Sequence, residues 1–350
     1  MIDLYENFPL FVYLLRIHEA LMAVNVFICI YFIFRIYNVA LIHVNLRILL
    51  CNIPLLFILM NLTRFAAYSW ENHAHQFPAK LANSICLTLR LIEELGVGCL
   101  GVCIPQITFE RAFATVFRKT YEKQGARLGI GMTVQTYVAS ALLSFTLIAY
   151  QLFIAKDFNL NDRYSTCRLE SHYTLIYFGI WIVAFFIASN ATALLFLAYY
   201  YNRRTYRRQD SFHLPTRYQF RENIQILRGL LPPISFFMLS DLAGLCCIGY
   251  ALLWERSDRN IRLVLQLLHI IPQVFCLSTT IWFMFSFNAI RQRVNEDLTM
   301  LSWKNLFKKN RVNTGHNPML YQMDVVNTQE NHFAVLRSNW GDDIKFDGEN

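Results

Sequence analysis

The sequence predicts an all-α membrane protein, a bundle of seven spanning helices with the N-terminus outside and the C-terminus in the cytoplasm. Three observations predict it. Of 350 residues, 55% are hydrophobic and only 16% charged, where a soluble domain carries roughly 25% charge. The apolar residues gather into seven runs, each longer than the ~20 residues a helix needs to cross ~30 Å of hydrocarbon. Short connections between the runs alternate between arginine-rich and arginine-poor, as the positive-inside bias requires.

The runs fall at 10–34, 46–67, 81–108, 128–154, 174–201, 229–254 and 263–290. A helix satisfies its own backbone hydrogen bonds, so it is the form such runs take in lipid. The first, Leu10 to Phe34, is too long for a signal-peptide core and lacks a basic leader. The third and fifth are long enough to tilt or project beyond the bilayer. Pro232, Pro233 and Pro272 are expected to interrupt or kink the sixth and seventh.

Orientation follows from the basic residues. One set of connections, with the stretch from Arg291 to Arg311 after the last span, holds 20 Lys and Arg; the opposite set holds seven. The dense set belongs in the cytoplasm. An odd number of spans then leaves the acidic start of the chain, Asp3 and Glu6, outside. This distribution also disposes of a nucleic-acid reading of the net charge of +8, because the charge lies between apolar runs.

Beyond the seventh span, Val294, Leu298, Leu301 and Leu306 recur at near-helical spacing, with Trp303 and Phe307 close by. The spacing predicts an amphipathic helix along the inner membrane face, closing a receptor-sized domain at 1–303. From about Asn310 to the end, 310–350, the sequence is polar and aperiodic and predicts a disordered cytoplasmic tail. No internal repeat suggests an inverted-repeat transporter.

Seven of the nine cysteines lie inside the runs, away from their outer ends, as small apolar packers without metal-ligand spacing. Cys86, near the outer end of the third run, and Cys167, in the connection after the fourth, face the oxidising side. A disulfide tying that connection to the third helix is the expectation, with two unrelated thiols as the alternative. The Asn-X-Ser/Thr matches at Asn61 and Asn190 fall within spans.

Several motifs stand at the inner ends of the runs: Glu110-Arg111-Ala112-Phe113-Ala114-Thr115, Tyr121-Glu122-Lys123, Tyr201-Asn202-Arg203-Arg204, the run Arg217 to Asn223, and His43-Val44-Asn45-Leu46. In their order along seven spans they resemble the nematode serpentine chemoreceptors, most closely the class epsilon family within the Sra group. The resemblance covers the first span to about Trp303. It implies a G-protein-coupled chemosensory receptor in the plasma membrane of sensory-neuron cilia, with a small-molecule ligand, a heterotrimeric G protein and lipid as partners. Two departures stand out. Thr120 replaces an Asp common before the Tyr-Glu pair, and Ser286 to Ile290 is not the Asn-Pro-X-X-Tyr motif of rhodopsin-like receptors.

A charge at the centre of a spanning helix costs about 2.5–3.5 kcal/mol on insertion scales, so each invites a role. Glu93 and Glu94 lie about 10 Å deeper than Cys86 along the third helix. They suit a ligand pocket, or else pair with Arg90 one turn earlier. Asp241 and His269 are candidates for the same cavity, with walls from aromatics such as Trp181, Phe236, Phe237 and Trp282. Asn25, Asn52, Asn61 and Asn190 read as interhelical packing. In the receptor reading Glu110 holds Arg111 at rest, and Arg111 is released to meet the G protein. Arg217, Arg221 and Glu222, in a third inner loop spanning 202–228, add a basic coupling surface that also suits anionic lipid. Two glutamates on one helix make no glycosidase site. No catalytic constellation, cofactor motif or metal cluster is present in the sequence, and His73 and His75 form an isolated pair. The rival reading is a ligand-gated channel or transporter, which requires polar stripes on several helices.

Overall fold

The computed structural model describes residues 9–37, 42–117, 121, 125–155, 160–161, 174–208, 214–253 and 258–301. The described chain is helical: α1 Pro9–Tyr37, α2 Val44–His73, α3 Ala79–Val116, α4 Arg127–Ala149, α5 Thr174–Arg208, α6 Leu214–Leu253, α7 Asp258–Ser286 and α8 Asn288–Leu301. A π-helical stretch, Tyr150–Ala155, extends α4. Residues 1–298 form one compact unit; of the second, 299–350, only 299–301 are described. The expected tail at 310–350, with Trp303, Leu306 and Phe307, lies outside the described residues.

Among the described residues, six helices are long and apolar enough to cross a membrane: Pro9–Tyr37, Val44–Gln76, Arg127–Ala149, Phe178–Arg208, Gln219–Leu252 and Leu263–Ser286. The additional long helix is α3, which carries Arg90, Glu93, Glu94, Glu110 and Arg111. It packs against α2, α4, α5 and α6, while α1 closes the bundle by contacting both α2 and α7.

α1 shows how these sequences sort their faces. Its buried residues are Leu15, His18, Met22, Asn25, Cys29, Phe32 and Ile36, alternating steps of three and four. That is the 3.5-residue seam of packed helices. The opposite face carries Tyr13, Val24, Phe27, Ile30 and Phe34, all exposed. The helix is largely apolar on both faces; His18 and Asn25 point inward, whereas Arg16 is exposed and pairs with Glu19 on its own helix. In lipid this ordering is favourable, because buried polar groups find partners on neighbouring helices.

Two glycines permit close approach. A Cβ on Gly129 of α4 would lie 2.9 Å from the Asn45 backbone of α2. The Gly129 amide donates to Asn45 Oδ1 at 3.0 Å, which fixes the two helices at that distance. A Cβ on Gly244 of α6 would sit 2.6 Å from the Trp181 ring of α5.

The prolines expected to interrupt the sixth and seventh spans do not end them; α6 and α7 run through Pro232, Pro233 and Pro272. One reason is visible. Pro233 has no N–H to donate to the carbonyl four residues back. That carbonyl, on Gly229, accepts instead from the Trp282 indole N–H of α7 at 3.1 Å. A second correction concerns Asn190, which is exposed and donates to Phe186 O of its own helix at 2.8 Å. It is not interhelical packing. Asn25, Asn52 and Asn61 are: Asn25 donates to Gln273 Oε1 at 2.7 Å, Gln273 donates to Asn61 Oδ1 at 2.7 Å, and Tyr137 donates to Asn52 Oδ1 at 2.9 Å.

Candidate functional site

α3 fixes two ends of the bundle, one near Cys86 and the other at Glu110 and Arg111. At the second end both charged side chains are almost completely buried, with Glu110 at 0% and Arg111 at 2% exposure. Arg111 donates to Glu110 through Nε at 2.5 Å and through Nη2. Successive helical residues point about 100° apart, so such a pair does not form by default on a helix surface. Here other elements hold it. The Tyr121 hydroxyl donates to Glu110 and also receives Arg111 Nη2 at 2.9 Å. Asn223 of α6 presents Oδ1 to Arg111 Nη1 at 3.4 Å.

From Asn223 the polar contacts continue across the bundle. Its amide donates to Thr115 Oγ1 at 2.7 Å and to Asn202 Oδ1 of α5 at 3.3 Å. Asn202 donates to Thr115 at 3.1 Å and back to Ala198 O at 2.7 Å. The His43 ring packs on Tyr121 at 4.2 Å between centroids. α3, α5, α6 and the segment at Tyr121 are thus joined around one guanidinium. Two buried charges are tolerable only when paired and fully hydrogen-bonded, and this pair is both.

Beside Arg111 lies a cavity of about 60 Å³ lined by His43, Ala114, Tyr121, Gln219, Glu222, Asn223 and Ile226. Ligand sites usually offer several hundred Å³, so this one admits water and not a peptide tail. Sequence assigned 202–228 to a loop, which the helices correct: α5 runs to Arg208 and α6 begins at Leu214. Asn202 and Asn223 are buried between helices, so their polarity does not mark a loop. Arg221 and Glu222 are half-buried on α6. Arg217 lies in the first turn of α6, and its side chain is outside the described residues.

Toward the Cys86 end, Glu94 receives Arg90 Nε at 3.0 Å and Nη2 at 2.8 Å, the pairing at i,i+4 that the spacing allowed. Glu93 pairs instead with Arg64 of α2. Arg64 was not among the residues singled out from the sequence, although a lone arginine inside the second apolar run was the signal. His269 stacks parallel to His18 of α1 at 6.2 Å. His18 Nδ1 meets Gln266 Nε2 at 3.0 Å and Tyr68 OH at 3.3 Å. Asp241 joins none of these groups. Cys86 is disulfide-bonded, whereas the seven cysteines of the apolar runs are free. Cys167 lies outside the described residues.

A third polar contact ties α1 to α8. Tyr31 donates to Asp297 Oδ2 at 2.5 Å, and Arg35 pairs with the same carboxylate. The Tyr31 hydrogen bond, then Arg35, hold the Asp297 carboxyl below its ordinary value.

Comparison with known proteins agrees with this architecture. A Caenorhabditis elegans protein described as a probable G-protein coupled receptor is 24% identical over 247 residues, covering 68% of this chain. The match spans 64% of that relative's own length. The family profile that matches residues 1–301 is that of the serpentine type 7TM GPCR receptor class ab chemoreceptors. The findings support a nematode serpentine receptor and place it in class ab, without supporting the epsilon class to which the motifs pointed. The chain is a multi-pass membrane protein of the serpentine 7TM GPCR class ab chemoreceptor family.

Proposed function

We propose that the chain is a chemosensory receptor that binds a small external molecule and activates a heterotrimeric G protein by rearranging its helices. The N-terminus faces outside, the Arg111 end faces the cytoplasm, and the setting is the ciliary membrane of a sensory neuron. The observation that carries the reading is the buried Glu110–Arg111 pair, tied to α5 and α6 through Asn202 and Asn223. Separation of α6 from α3 removes Asn223 from the guanidinium and widens the cavity beside it. Arg111, with Arg217, Arg221 and Glu222 on α6, then forms the surface offered to the G protein. Ligand stabilises that open packing by binding it better than the closed one. The Cys86–Cys167 disulfide pins the connection between α4 and α5 over the mouth of the bundle, and Arg90, Glu93, Glu94, Asp241 and His269 belong to the half of the bundle that ligand enters.

The test needs no ligand. Glu110→Gln weakens the pair, so ligand-independent nucleotide exchange on a co-reconstituted G protein should rise. Adding Arg111→Ala should abolish that rise while surface expression remains. Exchange indifferent to both changes would remove the receptor reading. A channel or transporter predicts solute-evoked current that persists when G-protein cycling is blocked.

A further inference from the structure

The charged groups toward the Cys86 end divide unevenly. Glu93 is neutralised by Arg64, and Glu94 by Arg90. Asp241 on α6 is 5% exposed and makes no ion pair or hydrogen bond among the described residues; its Oδ2 is fully buried and unpartnered. A carboxylate so placed carries a large desolvation cost that only a cation or a proton relieves.

Its surroundings indicate which cation. Residues three and four apart share a helix face. One turn from Asp241 on that face is Gly244, whose missing Cβ admits the Trp181 ring of α5 to within 2.6 Å of the Cβ position. One turn the other way is Phe237, packed edge-on against Phe275 of α7 at 5.2 Å. Asp241 therefore shares its helix face with one residue packed on an aromatic ring of α5 and another packed on an aromatic ring of α7. Inorganic cations need several oxygen ligands, and among the described residues no cluster of three His, Cys, Asp or Glu exists to supply them. An ammonium ion is satisfied by one carboxylate and the faces of aromatic rings.

We propose that Asp241, flanked by Trp181, Phe237 and Phe275, is the recognition point for a small organic ammonium ion. This deepens the receptor reading by naming the ligand class, and it rests on that reading for its purpose. Asp241 is closed over in the described packing, so a cation enters only by parting α6 from α5 or α7. The same helix carries Asn223, 18 residues away, about 27 Å along the axis. Seating a cation at one end thus displaces the helix that holds Arg111 at the other.

The test uses the full chain in lipid nanodiscs, with trimethylammonium as probe and tert-butyl alcohol as its neutral counterpart. Thermal unfolding is followed as each is titrated, in the wild type, Asp241→Asn and Asp241→Glu. Asp241→Asn removes a buried charge and so is not expected to impair folding, and Asp241→Glu keeps the charge. Trimethylammonium should raise the wild-type Tm where the alcohol does not. Asp241→Glu should retain the shift, and Asp241→Asn should lose about tenfold or more in apparent affinity, the size of one charge-assisted contact. A wild-type Tm that trimethylammonium does not move, or an equal shift in Asp241→Asn, overturns the proposal. Nucleotide exchange on the same samples separates the two readings. Cation binding with no exchange in any variant sinks the receptor and leaves the site; exchange with no binding does the reverse.

Discussion

The two ends of α3 handle buried charge in opposite ways. At the Arg111 end, the buried polar side-chain atoms of Glu110, Arg111, Thr115, Asn202 and Asn223 all have partners, and those partners sit on three helices and the Tyr121 segment. At the Cys86 end, charges are matched in separate pairs, Arg64 with Glu93 and Arg90 with Glu94, and Asp241 is left over. A satisfied network specifies one arrangement, because moving any helix strands several groups at once. Isolated pairs and an unmatched carboxylate specify less, and leave interaction energy for something that is not part of the chain. In the proposed reading, one end holds a state and the other is the one that a ligand changes.

The largest break in this contrast comes from Arg111→Ala. It leaves Glu110 charged, buried and without its counter-ion, which costs about 3–5 kcal/mol for a fully desolvated pair. Thermal unfolding in detergent should show a large drop in Tm. Glu110→Leu with Arg111→Met removes both charges and should recover most of that loss while nucleotide exchange stays silent. If the double variant is as unstable as Arg111→Ala alone, the pair is not what the end depends on.

Next in size are Tyr121→Phe and Asn223→Ala. Each deletes one hydrogen-bonding group from the network and should cost about 1–3 kcal/mol, since a partner is left unsatisfied. Both should raise basal exchange, because each loosens Arg111 in the closed packing. Equal effects from Tyr137→Phe, whose hydroxyl serves Asn52 away from this network, would erase the distinction between the Arg111 end and the rest of the bundle.

At the Cys86 end a double-mutant cycle on Arg64→Ala and Glu93→Ala should return a smaller coupling than that of Glu110 with Arg111, because these two side chains are less completely buried. A coupling as large as that of Glu110 with Arg111 would make the two ends alike.

How much of this was readable beforehand depends on whether the partner is near in sequence. Long apolar runs reveal helices, and Arg90 with Glu94 at i,i+4 is legible because both lie on one helix. Arg64 with Glu93 is not, since periodicity says which face a residue takes and nothing about which helix lies across from it. The same limit hid the joint role of Tyr121, Asn202 and Asn223, although each stood in a motif picked out from the sequence. Hydropathy also shortened α5 and α6: Asn202 and Asn223 read as loop, yet both are buried where helices meet. Polarity in a membrane protein marks water or a neighbouring helix, and composition alone does not distinguish them.

The smallest expected effect is at the α1–α8 contact, where pH gives the sign. The Tyr31 hydroxyl and Arg35 hold Asp297 below its ordinary value of 3.8, so the charged form is the one that the folded chain favours. Stability from such a group is complete above the ordinary value and is lost as pH falls through the depressed one. The hold of α8 on α1 should therefore be constant around neutral pH and weaken only in strong acid, with amide exchange in α8 as the measurement. Asp297→Asn should speed that exchange slightly and flatten its acid dependence. It should leave exchange around Asn202 and Asn223 unchanged, because the Arg111 network shares no hydrogen bond with Asp297 and its resistance to opening is set by its own satisfied groups.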